Sequence, residues 1–125
     1  MTNKRKRLGR RGEELAAGYL SEKGYRILDR NLYTRYGELD LIARKKFSGE
    51  DYLIFVEVKT RSSTRFGFPE QAVSAAKLEK MLKSAQIYLQ IHPELNLPFQ
   101  LDVISILFTD RDHAPEIRHF ENVNL

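Results

Sequence analysis

Two charged side chains follow the most apolar segment of the chain and carry the clearest chemical signal. Glu57 and Lys59 flank Val58, directly after the unbroken apolar run at 52–56. That run predicts a strand covered on both faces, on which Glu57 and Lys59 share one face about 7 Å apart. Because an unpaired buried carboxylate is costly, Glu57 needs either a lysine or a metal ion beside it.

Asp40 poses the same problem on the preceding predicted strand, 38–44, where it lies between two leucines. If the strands at 38–44 and 52–59 pair through the polar turn at 47–51, Asp40, Glu57 and Lys59 meet near one end of the sheet. Carboxylates are hard ligands suited to Mg²⁺, which lowers the pKa of bound water, and a lysine stabilises developing negative charge. The group suits phosphodiester cleavage, while a purely structural Glu57–Lys59 ion pair is the open alternative.

Three further residues are candidates near this group. Glu13 lies at the border of the apolar face of the first predicted helix, so it either reaches a cleft at the sheet edge or compensates the helix dipole. Gln71, near the start of the second helix, either faces the cleft or has a cap-like hydrogen-bonding role. Asp102, inside the predicted strand 99–108, is interpreted as the structural partner of a buried base rather than as a metal ligand.

Positive charge is concentrated at the N-terminus. The net charge is +4, from 21 Lys and Arg against 17 Asp and Glu, and six bases precede the first acid: Lys4, Arg5, Lys6, Arg7, Arg10 and Arg11. Such a cluster suits a phosphate backbone, although a solvated, flexible terminus is equally compatible. We therefore expect residues 1–10 to form a flexible basic arm. Additional candidates for contact with nucleic acid are Arg61 and Arg65, in the loop after Lys59, and Gln71 and Lys77, on the second predicted helix.

Composition bounds the class of protein. A chain of 125 residues with 42% hydrophobic residues supports one domain, expected at 11–122. No apolar run reaches the roughly 18–20 residues of a membrane span, and no signal peptide is evident, so a cytoplasmic location is expected. The lack of cysteine excludes disulfides and thiolate metal sites. The three histidines show no metal-ligand spacing, and phosphate-binding glycine loops and nucleophile elbows are missing.

Hydrophobic periodicity and turn signals predict the elements that must position these residues. The order is helix, three strands, helix and two strands, with predicted bounds of 8–24, 25–33, 38–44, 52–59, 69–91, 99–108 and 116–122. Gly24 and Pro93 end the two helices. This order predicts an α/β domain with a mixed sheet flanked by helices.

A series of motifs spans nearly the whole chain. They are RGEELA at 11–16, GYRIL at 24–28, YGELDLIA at 36–43, FVEVKTR at 55–61 and FGFPEQAV at 66–73, followed by Lys77 and DVI at 102–104. Together they resemble the YraN-like family of small bacterial proteins. That family is similar to the restriction-endonuclease-like, PD-(D/E)xK, superfamily, and within it to archaeal Holliday-junction resolvases. The resemblance implies an αβββαβ core, here followed by a C-terminal edge strand.

The resemblance also implies a site and an activity. Asp40, Glu57 and the Val58 carbonyl would hold Mg²⁺ or Mn²⁺, Glu13 would add a ligand directly or through water, and Lys59 would position the nucleophilic water. The implied activity is endonucleolytic cleavage of DNA, with branched or damaged DNA as substrate and a homodimer as the form suited to a junction. The alternative is an inactive nucleic-acid-binding or adaptor protein that retains the nuclease fold.

Overall fold

A mixed sheet of five strands forms the centre of the computed structural model, which describes residues 4–65, 67–110 and 112–123. The elements, in chain order, are α1 (Lys4–Glu22), β1 (Arg26–Thr34), β2 (Gly37–Phe47), β3 (Glu50–Arg61), a 3₁₀ turn (Pro69–Ala72), α2 (Ala75–Ile91), β4 (Phe99–Leu107) and β5 (Glu116–Phe120). The predicted αβββαβ core with an added C-terminal strand, the order of the restriction-endonuclease-like fold, is confirmed.

The sheet order follows the chain order, from β1 at one edge to β5 at the other. The β1–β2, β2–β3 and β4–β5 pairs are antiparallel, whereas β3 and β4 are parallel. A parallel pair requires a long crossover connection, and α2 provides it. Strand β3 is therefore central, with partners on both sides over much of its length.

Both faces of the sheet are covered, one by each helix. On the α1 face, Ala16 and Leu20 pack with Ile54 and Val56 of β3. On the α2 face, the buried cluster contains Leu53 and Phe55 of β3 and the following α2 residues: Leu78, Met81, Ala85 and Tyr88. The apolar run at 52–56 thus contributes alternate side chains to two cores, which explains why it shows no polar alternation.

Helix α1 approaches β3 closely at Gly12. A β-carbon on Gly12 would overlap the γ-methyl of Thr60, so any larger residue at position 12 would force Thr60 or the helix to move. Because Thr60 follows Lys59 directly, the contact fixes Glu13 of α1 beside the end of β3. Gly12, by allowing this close contact, therefore helps to position the Glu13 side chain.

Helix α1 begins earlier than predicted, at Lys4 rather than at residues 8–9. Lysine and arginine have high helix propensity, and no proline interrupts this segment. The basic residues Lys4–Arg10 are continuous with the helix, so the expected boundary at residue 10 does not coincide with a break in secondary structure. Residues 1–3 of the expected arm lie outside the described residues.

The second helix begins later than predicted, at Ala75 rather than at residue 69. Ser74 is its N-cap and accepts a 3.1 Å hydrogen bond from the Lys77 N–H, an arrangement that serine favours. The preceding 3₁₀ turn is separated from α2 by Val73, which is extended. Gln71 caps this turn by accepting a 2.6 Å hydrogen bond from the Phe68 N–H, so the cap-like role left open by the sequence is the one observed.

Candidate active site at the fork between two strands

The candidate site lies where β2 and β3 separate. Their backbone pairing runs from Phe47 opposite Glu50 to Leu41 opposite Val56 and ends there. Beyond that point, β3 continues beside β4 as far as Arg61. The Val58 N–H instead donates a 2.7 Å hydrogen bond to Asp40 Oδ2. An acidic side chain thus occupies the fork that the two diverging strands create.

The alternation of β2 is interrupted at the same place. Leu41 and Ala43 belong to the core on the α1 face, whereas Leu39 and Ile42 belong to the core on the α2 face. Regular alternation predicts that Leu39 points the same way as Leu41, and for Leu39 that prediction is wrong. The irregularity lies at Asp40, the residue between the two leucines.

Three acids converge at the fork from two elements. Glu13 of α1 and Glu38 and Asp40 of β2 each offer a carboxylate oxygen, and these oxygens lie within 4.8 Å of one another. Glu57 of β3 is near enough for its negative charge to raise the pKa of all three. The structure therefore brings together Glu13, Asp40 and Glu57, as the sequence indicated, and adds Glu38.

Burial and mutual repulsion shift the protonation of this group. Asp40 is 8% exposed, and its burial, reinforced by the charge of Glu57, raises its pKa to about 8 despite the hydrogen bond from Val58. Burial is also the main cause of the raised pKa of Glu13, followed by the charges of Glu38 and Glu57. A cation placed among these carboxylates would relieve the repulsion and return them to the ionised form.

Glu57 is the most buried member of the group, at 4% exposure. Its Oε1 lies 3.4 Å from the Lys59 ammonium and 3.3 Å from the Lys77 ammonium, which α2 contributes. Its Oε2 is buried without a hydrogen-bond partner among the described residues. The Glu57–Lys59 pair considered from the sequence therefore forms, but it is shared with Lys77 and leaves one carboxylate oxygen unsatisfied.

Asn31 is a contributor that sequence reasoning missed. It lies on β1 with a positive φ of 53°, a conformation that asparagine tolerates better than most residues. With its amide nitrogen facing the acids, Asn31 donates to Glu13 Oε2 at 3.2 Å and to Glu38 Oε1 at 2.6 Å. Strand alternation could have identified Glu38, which lies two residues before Asp40 on the same strand. No local sequence pattern identifies Asn31.

Basic side chains flank the fork on two sides. A surface cleft of about 590 Å³ is lined by Glu13 and Glu38 and also by Lys6, Arg10 and Arg30. A second cleft, of about 580 Å³, is lined by Arg5 of α1 and by Thr60 and Arg61 of β3, among others. The first turns of α1 therefore place part of the predicted basic cluster beside the acidic group.

The other predicted contact residues are more scattered. Lys4, Arg7 and Arg65 are exposed. The Arg11 guanidinium lies 4.8 Å from the centre of the Phe108 ring, against which it packs. Gln71 caps the 3₁₀ turn, as described above. Lys77 pairs with Glu57, an acid at the fork.

Asp102 lies in a separate polar cluster near β5 and is fully buried. Its Oδ2 lies 2.7 Å from Nε2 of His119, and its Oδ1 accepts from the Gln100 side chain and the Asn122 N–H. The expected role as partner of a buried base is therefore observed. Spacing did not indicate that His119 would join acids, but Asp102, His119 and Glu121 bring ligand atoms within 4.8 Å of one another.

Neither α1 nor α2, the α-helices that the described residues form, is long and apolar enough to cross a bilayer.

Comparison with known proteins places the chain in a family. The model of the "Uncharacterised protein family UPF0102" matches residues 12–106. A UPF0102 protein of Syntrophomonas wolfei is 52% identical over 115 residues, which are 92% of this chain and 95% of that protein. A UPF0102 protein of Syntrophotalea carbinolica is 47% identical over 120 residues, covering 96% and 93% of the two chains. The resemblance to the YraN-like family is confirmed, and the chain belongs to the uncharacterised protein family UPF0102, the YraN family.

Proposed function

We propose that this protein is a divalent-metal-dependent endonuclease that hydrolyses phosphodiester bonds in DNA. The observation that carries the proposal is the convergence of Glu13, Glu38, Asp40 and Glu57 at the fork, with Lys59 beside Glu57. Acids this close raise one another's pKa, and strongly perturbed carboxyls in a cleft are typical of functional sites. Basic residues along the adjoining clefts supply a surface for the phosphate backbone.

The donor set fits Mg²⁺ or Mn²⁺. All of the converging ligand atoms are hard carboxylate oxygens, which these ions prefer, and the buried Glu57 Oε2 is without a partner among the described residues. Asp40 and Glu57 would hold the ion, with Glu13 or Glu38 and the Val58 carbonyl as further ligands. Bound there, the ion would polarise a phosphate and lower the pKa of a coordinated water.

The two lysines around Glu57 are suited to different tasks. Lys59 lies on the strand that carries Glu57 and is the lysine to which the resemblance gives the positioning of water. Its ammonium can hold a water molecule or stabilise charge that develops on a phosphate. Lys77 reaches the same carboxylate from α2 and offsets the cost of burying it. We assign Lys59 to catalysis and Lys77 to the positioning of Glu57.

The finer parts of the proposal rest on the resemblance to junction resolvases. They are a branched or damaged DNA substrate and a homodimer that would present two sites. A cytoplasmic location, expected from the sequence on separate grounds, is also part of the proposal. Arg5, Lys6, Arg10 and Arg61 are the residues whose positions beside the fork best support contact with phosphates.

The test is cleavage of branched, nicked and linear DNA with Mg²⁺, with Mn²⁺ and with chelator. We expect metal-dependent products from the unaltered protein and their loss in Lys59→Ala and Glu57→Gln. Lys80→Ala, which removes an exposed lysine of α2, is the matched control and should cleave normally. Equal cleavage by the unaltered protein and Lys59→Ala would attribute the activity to a contaminant and overturn the proposal.

A second candidate function is binding of nucleic acid without cleavage. The observation that favours it is that Glu57 already has two ammonium groups beside it, so the fork is partly neutralised by the protein itself. Calorimetric titration with Mg²⁺ separates the two functions. DNA binding with no heat from Mg²⁺ and no cleavage would favour the binding protein. If the Glu57–Lys59 pair serves only the fold, Glu57→Gln should lower stability and leave DNA affinity unchanged.

A further inference from the structure

Tyr33 is the most exposed of the large hydrophobic side chains in the part of the chain that the structure describes, at 76%. It lies near the end of β1, where its backbone pairs with that of Glu38. Its side chain lines the same 590 Å³ cleft as Glu13, Glu38, Lys6 and Arg10. An exposed aromatic ring therefore lies in the cleft that adjoins the acids of the fork.

Packing does not account for this ring. Neither of the two hydrophobic clusters of the described residues includes Tyr33. Two other tyrosines have structural partners: Tyr25 and Tyr88 are buried and their hydroxyls donate to Glu121 and Asp29. Exposure of so large an apolar surface forgoes stabilisation that burial would provide. Its position between cations and acids points to contact with a ligand.

The ring is surrounded by the groups that bind a nucleic-acid strand. Lys6 and Arg10 line the cleft with Tyr33, as does Arg30, which is paired with Glu14 at 2.8 Å. Cations beside an exposed aromatic ring form the usual combination for binding single strands, because the cations follow the phosphates while a base stacks on the ring. A base within a duplex has both faces covered by its neighbours. Only an unpaired or extruded base can stack on Tyr33.

We propose that Tyr33 stacks on an unpaired base and so directs single-stranded segments of DNA into the cleft beside the fork. The inference rests on the proposed function in one respect, since it takes nucleic acid as the ligand of this cleft. It adds the substrate class: strands that carry unpaired nucleotides, such as single strands, flaps and loops, are bound in preference to continuous duplex.

The test is binding in the presence of chelator, which removes cleavage from the measurement. Fluorescence anisotropy would compare a short single strand with its duplex, using the unaltered protein, Tyr33→Ala and Tyr33→Phe. We expect Tyr33→Ala to weaken single-strand binding about 5- to 150-fold and duplex binding far less, while Tyr33→Phe, which keeps the ring, stays near the unaltered protein. Ile91→Ala, which truncates another exposed apolar side chain (61% exposed), should change neither affinity.

A second readout reports stacking directly. A single strand containing 2-aminopurine should lose fluorescence on binding to the unaltered protein and to Tyr33→Phe, and retain it with Tyr33→Ala. Equal loss of single-strand and duplex affinity in Tyr33→Ala, or equal behaviour of Tyr33→Ala and Ile91→Ala, would overturn the inference. It would also fail if the cleft bound only a protein partner, in which case the unaltered protein would bind neither oligonucleotide.

The two proposals can fail separately. Lys59→Ala should lose cleavage but keep the dependence of single-strand binding on Tyr33. Ring-dependent binding without any metal-dependent cleavage would overturn the endonuclease and leave the stacking role intact. Metal-dependent cleavage with no effect of Tyr33→Ala on single-strand affinity would do the reverse.

Discussion

Asp40 Oδ2 accepts a 2.7 Å hydrogen bond from the N–H of Val58 at the point where β2 and β3 part. The Asp40 side chain takes the place of a strand carbonyl, so the two strands separate without leaving the half-buried Val58 N–H unsatisfied. The same bond holds the carboxyl of Asp40 within the field of Glu57. The hydrogen bond that satisfies the Val58 N–H therefore also holds Asp40 in place in the candidate site.

The first prediction concerns pH and the metal-free protein. The pKa of Asp40 is about 8 in the folded state against an ordinary value of 3.8, so between these values the folded state binds more protons than the unfolded state. The contribution of Asp40 to stability is therefore greatest at low pH and is lost as pH rises through that window. Asn can still accept the Val58 bond but carries no charge. Asp40→Asn should therefore remove the fall in unfolding free energy as pH rises. Asp40→Ala should not regain that free energy, because alanine cannot accept the Val58 bond.

Urea unfolding of metal-free protein across that pH window is the measurement. Parallel pH profiles for the unaltered protein and Asp40→Asn would contradict the assignment of the raised pKa to Asp40.

The second prediction is that divalent ions stabilise the protein through the fork. A ligand that binds only the folded state stabilises by about 2.7 kcal/mol at a concentration of 100 times Kd. Mn²⁺ or Mg²⁺ should therefore raise the midpoint of thermal unfolding, and Asp40→Asn and Glu57→Gln should abolish the rise. Glu121→Gln alters the other group with ligand geometry, at Asp102 and His119, and is the control. A shift lost in Glu121→Gln but kept in Asp40→Asn would place the ion there instead.

The third prediction concerns the contact between Gly12 and Thr60. Gly12→Ala adds a methyl group that overlaps the γ-methyl of Thr60 and should cost about 1–3 kcal/mol of unfolding free energy. The substitution should also weaken any stabilisation by divalent ions, because the displaced helix α1 would move Glu13 away from the fork. Adding Thr60→Ser, which removes the γ-methyl, should restore much of both losses.

Gly18→Ala is the matched control, since nothing lies within 4 Å of a β-carbon at that exposed position of α1. It should stabilise by about 0.5–1 kcal/mol, the usual difference between alanine and glycine in a helix. Destabilisation of similar size by both alanine substitutions would contradict this account, because the cost would then not depend on the contact with Thr60.

The fourth prediction concerns the basic turns of α1. If Arg10 contacts a DNA phosphate, Arg10→Gln should reduce the slope of log affinity against log salt by about 0.9 for duplex DNA. Arg26→Gln removes an exposed arginine at the start of β1, the end of the strand away from Tyr33 and the cleft. It should leave the slope unchanged. An identical change in both variants would indicate a general effect of net charge.

Much of the fold follows from local patterns. The apolar run at 52–56 predicted a strand covered on both faces, and its side chains alternate between the two cores. The same patterns singled out Glu13, Asp40, Glu57 and Lys59, because charge beside or within an apolar segment is costly unless it has a partner. Helix starts were predicted less well, since caps such as Ser74 compete with propensity over a few residues.

The local sequence determined which acids needed partners; the tertiary structure decided which partners they have. Lys77 reaches Glu57 only because α2 packs across the sheet. Asn31 meets Glu13 and Glu38 only because a residue with positive φ on β1 lies beside α1. The fork exists because β2 leaves β3 after Leu41 while β3 stays paired with β4. These contacts depend on register and packing between distant segments, which periodicity along one segment does not encode.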